Sequence, residues 1–210
     1  MISVLTVFGT RPEAIKLAPV VRALEARPGE FASTVCVSAQ HREMLDQAMQ
    51  VFGVKPDFDL DLMRDSQSPS DVAGCLLSEM PRVLAAAQPD FVLVQGDTIT
   101  TFAAAFAAYL HRIPVGHIEA GLRTGNPDHP FPEEMNRMLT TRVSALHFAP
   151  TTVAADALRA EGIRDSRITV TGNSVIDALL SVVDGAHRFK ASELQSINAD
   201  DEVVPVSYTH

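Results

Sequence analysis

Apolar residues along this chain fall into two alternating patterns. Short runs at 2–8, 33–38, 91–95, 113–118, 145–149 and 167–171 are rich in β-branched and aromatic residues and read as strands buried on both faces. Between them, 41–52, 70–87, 99–111, 133–143 and 151–161 carry helical spacing or a high alanine content. Such βαβ alternation predicts a mostly parallel, doubly wound α/β sheet, a Rossmann-like layer over residues 1–170 whose functional groups gather at the strands' carboxyl ends. Residues 55–70, KPDFDLDLMRDSQSPS, are acidic and aperiodic and read as a long surface loop. From Thr171 the pattern changes. TGN before SVIDALL predicts a capped helix, a polar stretch follows, and the apolar run at 203–206 contains Pro205, so 171–210 reads as a crossover helix and the truncated start of a second domain.

Composition narrows the partners. With 46% hydrophobic residues and a formal net charge of -9, the chain can bury a core but lacks the surplus of Lys and Arg on which nucleic-acid or anionic-membrane binding rests. The apolar stretch Phe102 to Leu110 is too short to span a bilayer, and TFAAAFAAYL reads as core. No segment near the start has the layout of a signal peptide. Cys36 and Cys75 have no CxxC spacing and read as buried thiols, which fits a reducing cytoplasm.

The first strand ends at Gly9, and Thr10, Arg11, Pro12, Glu13 and Lys16 follow at once. Thr10 and Glu13 have capping-box spacing, Pro12 falls in the first turn of the predicted helix, and Pro19 is expected to kink it. A strand, a glycine turn and a helix N-terminus form an anion site that Arg11 and Lys16 would reinforce. Read in isolation, both are also ordinary surface cations.

Three carboxylates follow predicted strands or open a helix: Asp97 after FVLVQG, Glu119 after PVGHI, and Glu133 in HPFPEEMNR. Each has a structural alternative, as an N-cap, a loop residue or a first-turn partner of the helix dipole. Gathered at one sheet edge beside Arg11, Arg123 and Arg137, they would instead supply acid, base and anion partners in one place. His117, Glu119 and His129 are weak evidence for a metal, because HExxH and paired CxxC are both missing. Neither GxGxxG nor a P-loop occurs, which disfavours NAD and ATP.

The words VFGTRPEAIKLAP, AQHREMLDQ, VLVQGDTITTFAAAFAAY, RIPVGHIEAGLRTGN, FPEEMNR and TGNSVIDALL resemble the non-hydrolysing UDP-N-acetylglucosamine 2-epimerases, in the same order from residue 1 to about 180. The resemblance implies the N-terminal half of a GT-B arrangement, with a sugar nucleotide held between two Rossmann-like domains and the uridine-binding half absent. It further implies interconversion of UDP-GlcNAc and UDP-ManNAc in the cytoplasm without a cofactor or metal, for bacterial surface polysaccharides, by a homodimer at full length. By the same resemblance Asp97, Glu119 and Glu133 are acid-base groups in no fixed allotment. Arg11 and Lys16 hold the diphosphate, Arg137 supports, and Gln40 and Glu43 belong to a segment that binds a second UDP-GlcNAc as effector in some members. Residues 203–210 faintly resemble the strand and histidine that open the family's second domain, but Pro205 is out of place and the residues that follow are missing, so that role is not carried over to His210. A GT-B glycosyltransferase, a hydrolysing 2-epimerase and a non-catalytic sugar-nucleotide sensor are the competing readings.

Overall fold

The computed structural model describes residues 1–39, 42–62, 64 and 67–183. Within these the chain forms strands β1 (Ile2–Phe8), β2 (Phe31–Val37), β3 (Phe58–Asp59), β4 (Phe91–Gln95), β5 (Val115–Ile118), β6 (Leu146–Ala149) and β7 (Ile168–Val170). They make one sheet in the order β3-β2-β1-β4-β5-β6-β7, with every pairing parallel. The expected α/β class and parallel sheet are observed. The sheet has one strand more than the apolar runs predict. β3 lies inside the stretch read as loop and is two residues long, and it is anchored to β2 where the Asp57 carboxylate accepts from Val35 N at 2.8 Å.

The helices are α1 (Arg11–Glu25), α2 (Arg42–Phe52), α3 (Pro69–Ala87), α4 (Ile99–Leu110), α5 (Glu133–Val143), α6 (Thr152–Ala160) and α7 (Ser174–Val182). Alternation along β1 divides the core. Leu5 and Val7 pack with Leu76, Met80 and Val83 of α3 and the alanines of α4, while Phe8 packs with Leu17 and Val21 of α1 and Leu45 and Met49 of α2. Ala103, Ala104, Ala105, Ala107 and Ala108 are all buried, as their reading as core requires. Small side chains let α4 lie close to the strands.

Pro19 sits inside α1, which runs through it as one helix. Of the two cysteines, Cys36 is buried and Cys75 is exposed, which corrects the reading of both as buried. Leu76 and Met80 turn the apolar stripe of α3 to the sheet, and Cys75 falls outside that stripe. Burial pushes the Cys36 thiol up to about 12, with Asp59 adding to the effect. No helix among the described residues is long and apolar enough to cross a membrane.

The turn after β5 is fixed by close approach. Gly121 has φ +88°, and a Cβ built there would stand 2.2 Å from the Ala154 carbonyl oxygen. Gly121→Ala is therefore expected to destabilise the chain by more than about 2 kcal/mol, since left-handed strain adds to a clash with backbone that cannot move aside. Denaturant unfolding checks this, and a loss under about 0.5 kcal/mol, the scale of a neutral surface change, would contradict it.

Candidate active site at the carboxyl edge of the sheet

The site begins at the β1–α1 turn. Glu13 is buried, and its Oε2 accepts from Gly9 N at 2.9 Å, Thr10 N at 2.7 Å and Thr10 Oγ1 at 2.8 Å, while Oε1 accepts from Thr98 Oγ1 at 2.6 Å and Thr101 Oγ1 at 3.0 Å. Glu13 thus completes the return half of the capping box and also binds the β1–α1 turn to the β4–α4 turn. Gly9 permits this closeness, because a Cβ there would meet Ser38 Oγ at 2.1 Å and Thr100 Oγ1 at 2.6 Å. Arg11, the first residue of α1, is exposed and has no side-chain hydrogen bond or ion pair among the described residues.

Glu119 lies just past β5 with φ +62°, a left-handed backbone that a side chain of this size rarely adopts. Its carboxylate is largely buried and is held from three other elements. Lys16 Nζ lies 2.7 Å from both oxygens, Gln95 Nε2 donates to Oε2, and Asn173 Nδ2 donates to Oε1 at 3.0 Å. The structure therefore places Lys16 against a carboxylate as well as near the helix N-terminus. Gln95 and Asn173 were missed as site residues, although both stand in the quoted words VLVQGD and TGNSVID.

A second ion pair lies along the same edge. Arg137 of α5 pairs with Asp97 Oδ2, and its Nη1 is 3.2 Å from Glu134 Oε2, close enough for charge but not aligned as a hydrogen bond. Glu134 is buried and accepts from Thr124 N and Gly125 N at 3.0 and 3.1 Å, which pins the loop before α5. Asn136 Nδ2 donates to the Asp97 carbonyl at 2.9 Å. Asp97 is not the cap of α4, because Thr98 fills that position by accepting from Thr101 N.

Glu133, in the first turn of α5, has no side-chain hydrogen bond or ion pair among the described residues. It borders a cavity of about 300 Å³ shared with Thr10, Gln67, Thr98 and Asn136. Of the three carboxylates singled out in the sequence, Asp97 and Glu119 are therefore closed on cations, and Glu133, like Arg11, is left open. Arg123 does not join them. Its guanidinium holds Glu161 at 2.6 Å and Thr141 Oγ1 at 2.8 Å, where it links α5 to the end of α6. Glu43 is exposed in the first turn of α2, while Gln40 and His210 lie outside the described residues. No group of three metal-ligating side chains comes together among the described residues.

A parallel α/β sheet with carboxylates and cations along its carboxyl edge places the chain among the doubly wound folds, whose ligands lie at that edge. Within that class the sequence is specific: the family model for UDP-N-acetylglucosamine 2-epimerase matches residues 22–209, and the chain belongs to that family. A UDP-N-acetylglucosamine 2-epimerase of Escherichia coli (strain K12) is 54% identical over 181 residues, covering 86% of this chain and 48% of the relative. The crystal structure of a UDP-GlcNAc 2-epimerase from Neisseria meningitidis bound to UDP-GlcNAc is 53% identical with a TM-score of 0.83, over 85% of this chain and 48% of that one. An S. aureus MnaA–UDP co-structure is 45% identical with a TM-score of 0.87, over 92% and 50%. The chain spans about half the length of these relatives.

Behind the site, His117 of β5 and His147 of β6 are cross-strand partners with both imidazoles buried. His117 Nε2 lies 2.7 Å from the Gly96 carbonyl, which can only accept, so this nitrogen carries the hydrogen. Both rings are held neutral, chiefly by burial: His117 is lowered to about 3 and His147 to about 4, from 6.5. A group whose pKa is depressed on folding makes the unfolded state take up protons first as pH falls. Stability should be full above pH 6.5 and decline as pH falls through 4 toward 3, by about 3 kcal/mol for each ring at pH 4. His147→Leu should flatten that decline. Melting curves across this range test it, and equal slopes for the two chains would show that other groups govern acid unfolding.

Proposed function

We propose that this chain is the N-terminal half of a non-hydrolysing UDP-GlcNAc 2-epimerase, which interconverts UDP-GlcNAc and UDP-ManNAc by eliminating UDP and adding it back. The observation that carries the reading is the sheet edge itself, where Glu119 on Lys16 and Asp97 on Arg137 stand with the open groups Glu133 and Arg11. UDP-GlcNAc in the Neisseria relative and UDP in the S. aureus relative support the choice of ligand.

The C2 proton of the sugar is not adjacent to a carbonyl, so direct deprotonation is slow. Removing it while the C1–O bond to UDP breaks sends the electron pair into a C1–C2 double bond and releases the stabilised UDP anion. The 2-acetamidoglucal formed is protonated at C2 from its other face as UDP returns to C1. A proton and UDP leave and return, and the summed oxidation level of C1 and C2 is unchanged throughout, so no redox cofactor is needed. Proton acceptors and donors are needed on both faces of the ring, and Asp97, Glu119 and Glu133 are the groups available for that work. Arg11, Lys16 and the N-terminus of α1 offer the diphosphate its positive surroundings, with Arg137 in support. The product would supply ManNAc units for bacterial surface polysaccharides.

In D2O, an enzyme made by joining this chain to the C-terminal half of its Escherichia coli relative is expected to place deuterium at C2 and form UDP-ManNAc, both read by NMR. Glu119→Gln should lower that turnover by at least about a hundredfold with unchanged circular dichroism. The chain by itself should give no turnover, because a cleft with one wall neither excludes water nor retains the glucal. Unlabelled C2 in the joined enzyme would favour a transferase or a sensor and end this reading.

Arg11→Ala in the same enzyme is expected to weaken UDP binding about tenfold, the scale of a lost charge-assisted contact to phosphate, with little change in melting temperature. Calorimetry decides between this and a structural arginine, for which the melting temperature would drop and UDP affinity would hold.

A further inference from the structure

Asn173 stands outside the sheet, between β7 and α7, 54 residues along the chain from Glu119. Its Oδ1 accepts from Val175 N at 3.1 Å, which makes it the N-cap of α7. With the oxygen committed to that amide, the Nδ2 end of the carboxamide faces the site and donates to Glu119 Oε1 at 3.0 Å. Lys16 touches both carboxylate oxygens equally, at 2.7 Å each, so it supplies charge without choosing one rotation of the carboxylate plane. That choice falls to the two amides, Asn173 on Oε1 and Gln95 on Oε2.

We propose that Asn173 is a positioning residue for Glu119, setting the plane of its carboxylate and tying it to the seating of α7 on α1. The inference rests on the reading of Glu119 as an acid-base group under Proposed function. Helix α7 packs along α1 through the buried Ala178. One side chain therefore joins a helix start to the functional carboxylate, and a shift of α7 along α1 reaches Glu119 directly. Orientation of this kind matters because proton transfer falls off steeply when donor and acceptor are misaligned.

Capping and positioning can be separated by substitution. Ser and Asp cap helices about as well as Asn. A serine at this position would keep the start of α7 but cannot span the gap to Glu119, and an aspartate would set a second carboxylate against the first. In the joined enzyme described above, Asn173→Ser is expected to lower kcat about tenfold or more while KM stays within about twofold, the scale on which outer partners of a reacting group act. Its melting temperature should stay within about 2 °C of the parent. Asn173→Asp should lose more near neutral pH and move the acidic limb of the kcat profile upward, because like charges favour protonation of one carboxyl.

A second readout needs no turnover. In the 210-residue chain labelled with ¹³C at glutamate side chains, the Glu119 carboxyl resonance should move in both Asn173→Ser and Asn173→Asp while the other glutamate carboxyl resonances stay in place, because Asn173 donates to Glu119 alone. Unchanged kcat in the serine variant, or an unmoved Glu119 carboxyl resonance, would overturn the proposal and leave Asn173 as a helix cap. A joined enzyme with no C2 exchange would instead end the reading of function, and the labelled spectra would still decide the role of Asn173.

Discussion

The contact on which the site depends is the ion pair between Lys16 and Glu119. It joins α1 to the end of β5 across 103 residues of sequence, and it exists because β1, β4 and β5 are neighbours in the sheet. A carboxylate this far from water is tolerated only with its oxygens satisfied. Lysine supplies the charge, and the remaining donors come from the last residue of β4 and the first turn of the segment after β7. Those donors require Gln95 and Asn173 to be in place, which in turn constrains the ends of two strands and the start of a helix.

The same requirement governs the neighbouring turns. Among the described residues Glu13 meets five donors and no cation, so it works as a rivet between the ends of β1 and β4. Asp97 and Glu134 divide Arg137 between them. The pairs hold Asp97 and Glu119 in place, while Arg11 and Glu133 have no side-chain partner among the described residues.

Much of this was legible in the sequence because long apolar runs and helical spacing report burial directly. The order of strands and helices, the alanine-packed α4 and the clustering of Lys16, Asp97, Glu119, Glu133 and Arg137 near one edge all follow from it. What escaped is long-range or very short. β3 has two residues and no periodicity to detect. Arg123 sits in the same word as Glu119, yet its partner Glu161 is 38 residues further on and draws it away from the cleft. The capping box showed Glu13 facing its own helix, but its bonds to Thr98 and Thr101 cross 85 and 88 residues and leave no local trace. Cys75 lies in an obviously helical run whose inward face could not be phased closely enough to place one thiol.

The central position of β1 has a consequence for how the molecule is made. Its amide at Ser3 is bonded by the Asp90 carboxylate, 87 residues later, and its pairing edge is completed by β4. A ribosome therefore releases the first strand long before its second neighbour exists. Until about the fourth strand emerges, a strongly apolar segment has β2 on one side and nothing native on the other. The nascent chain is thus most exposed to wrong partners early in synthesis.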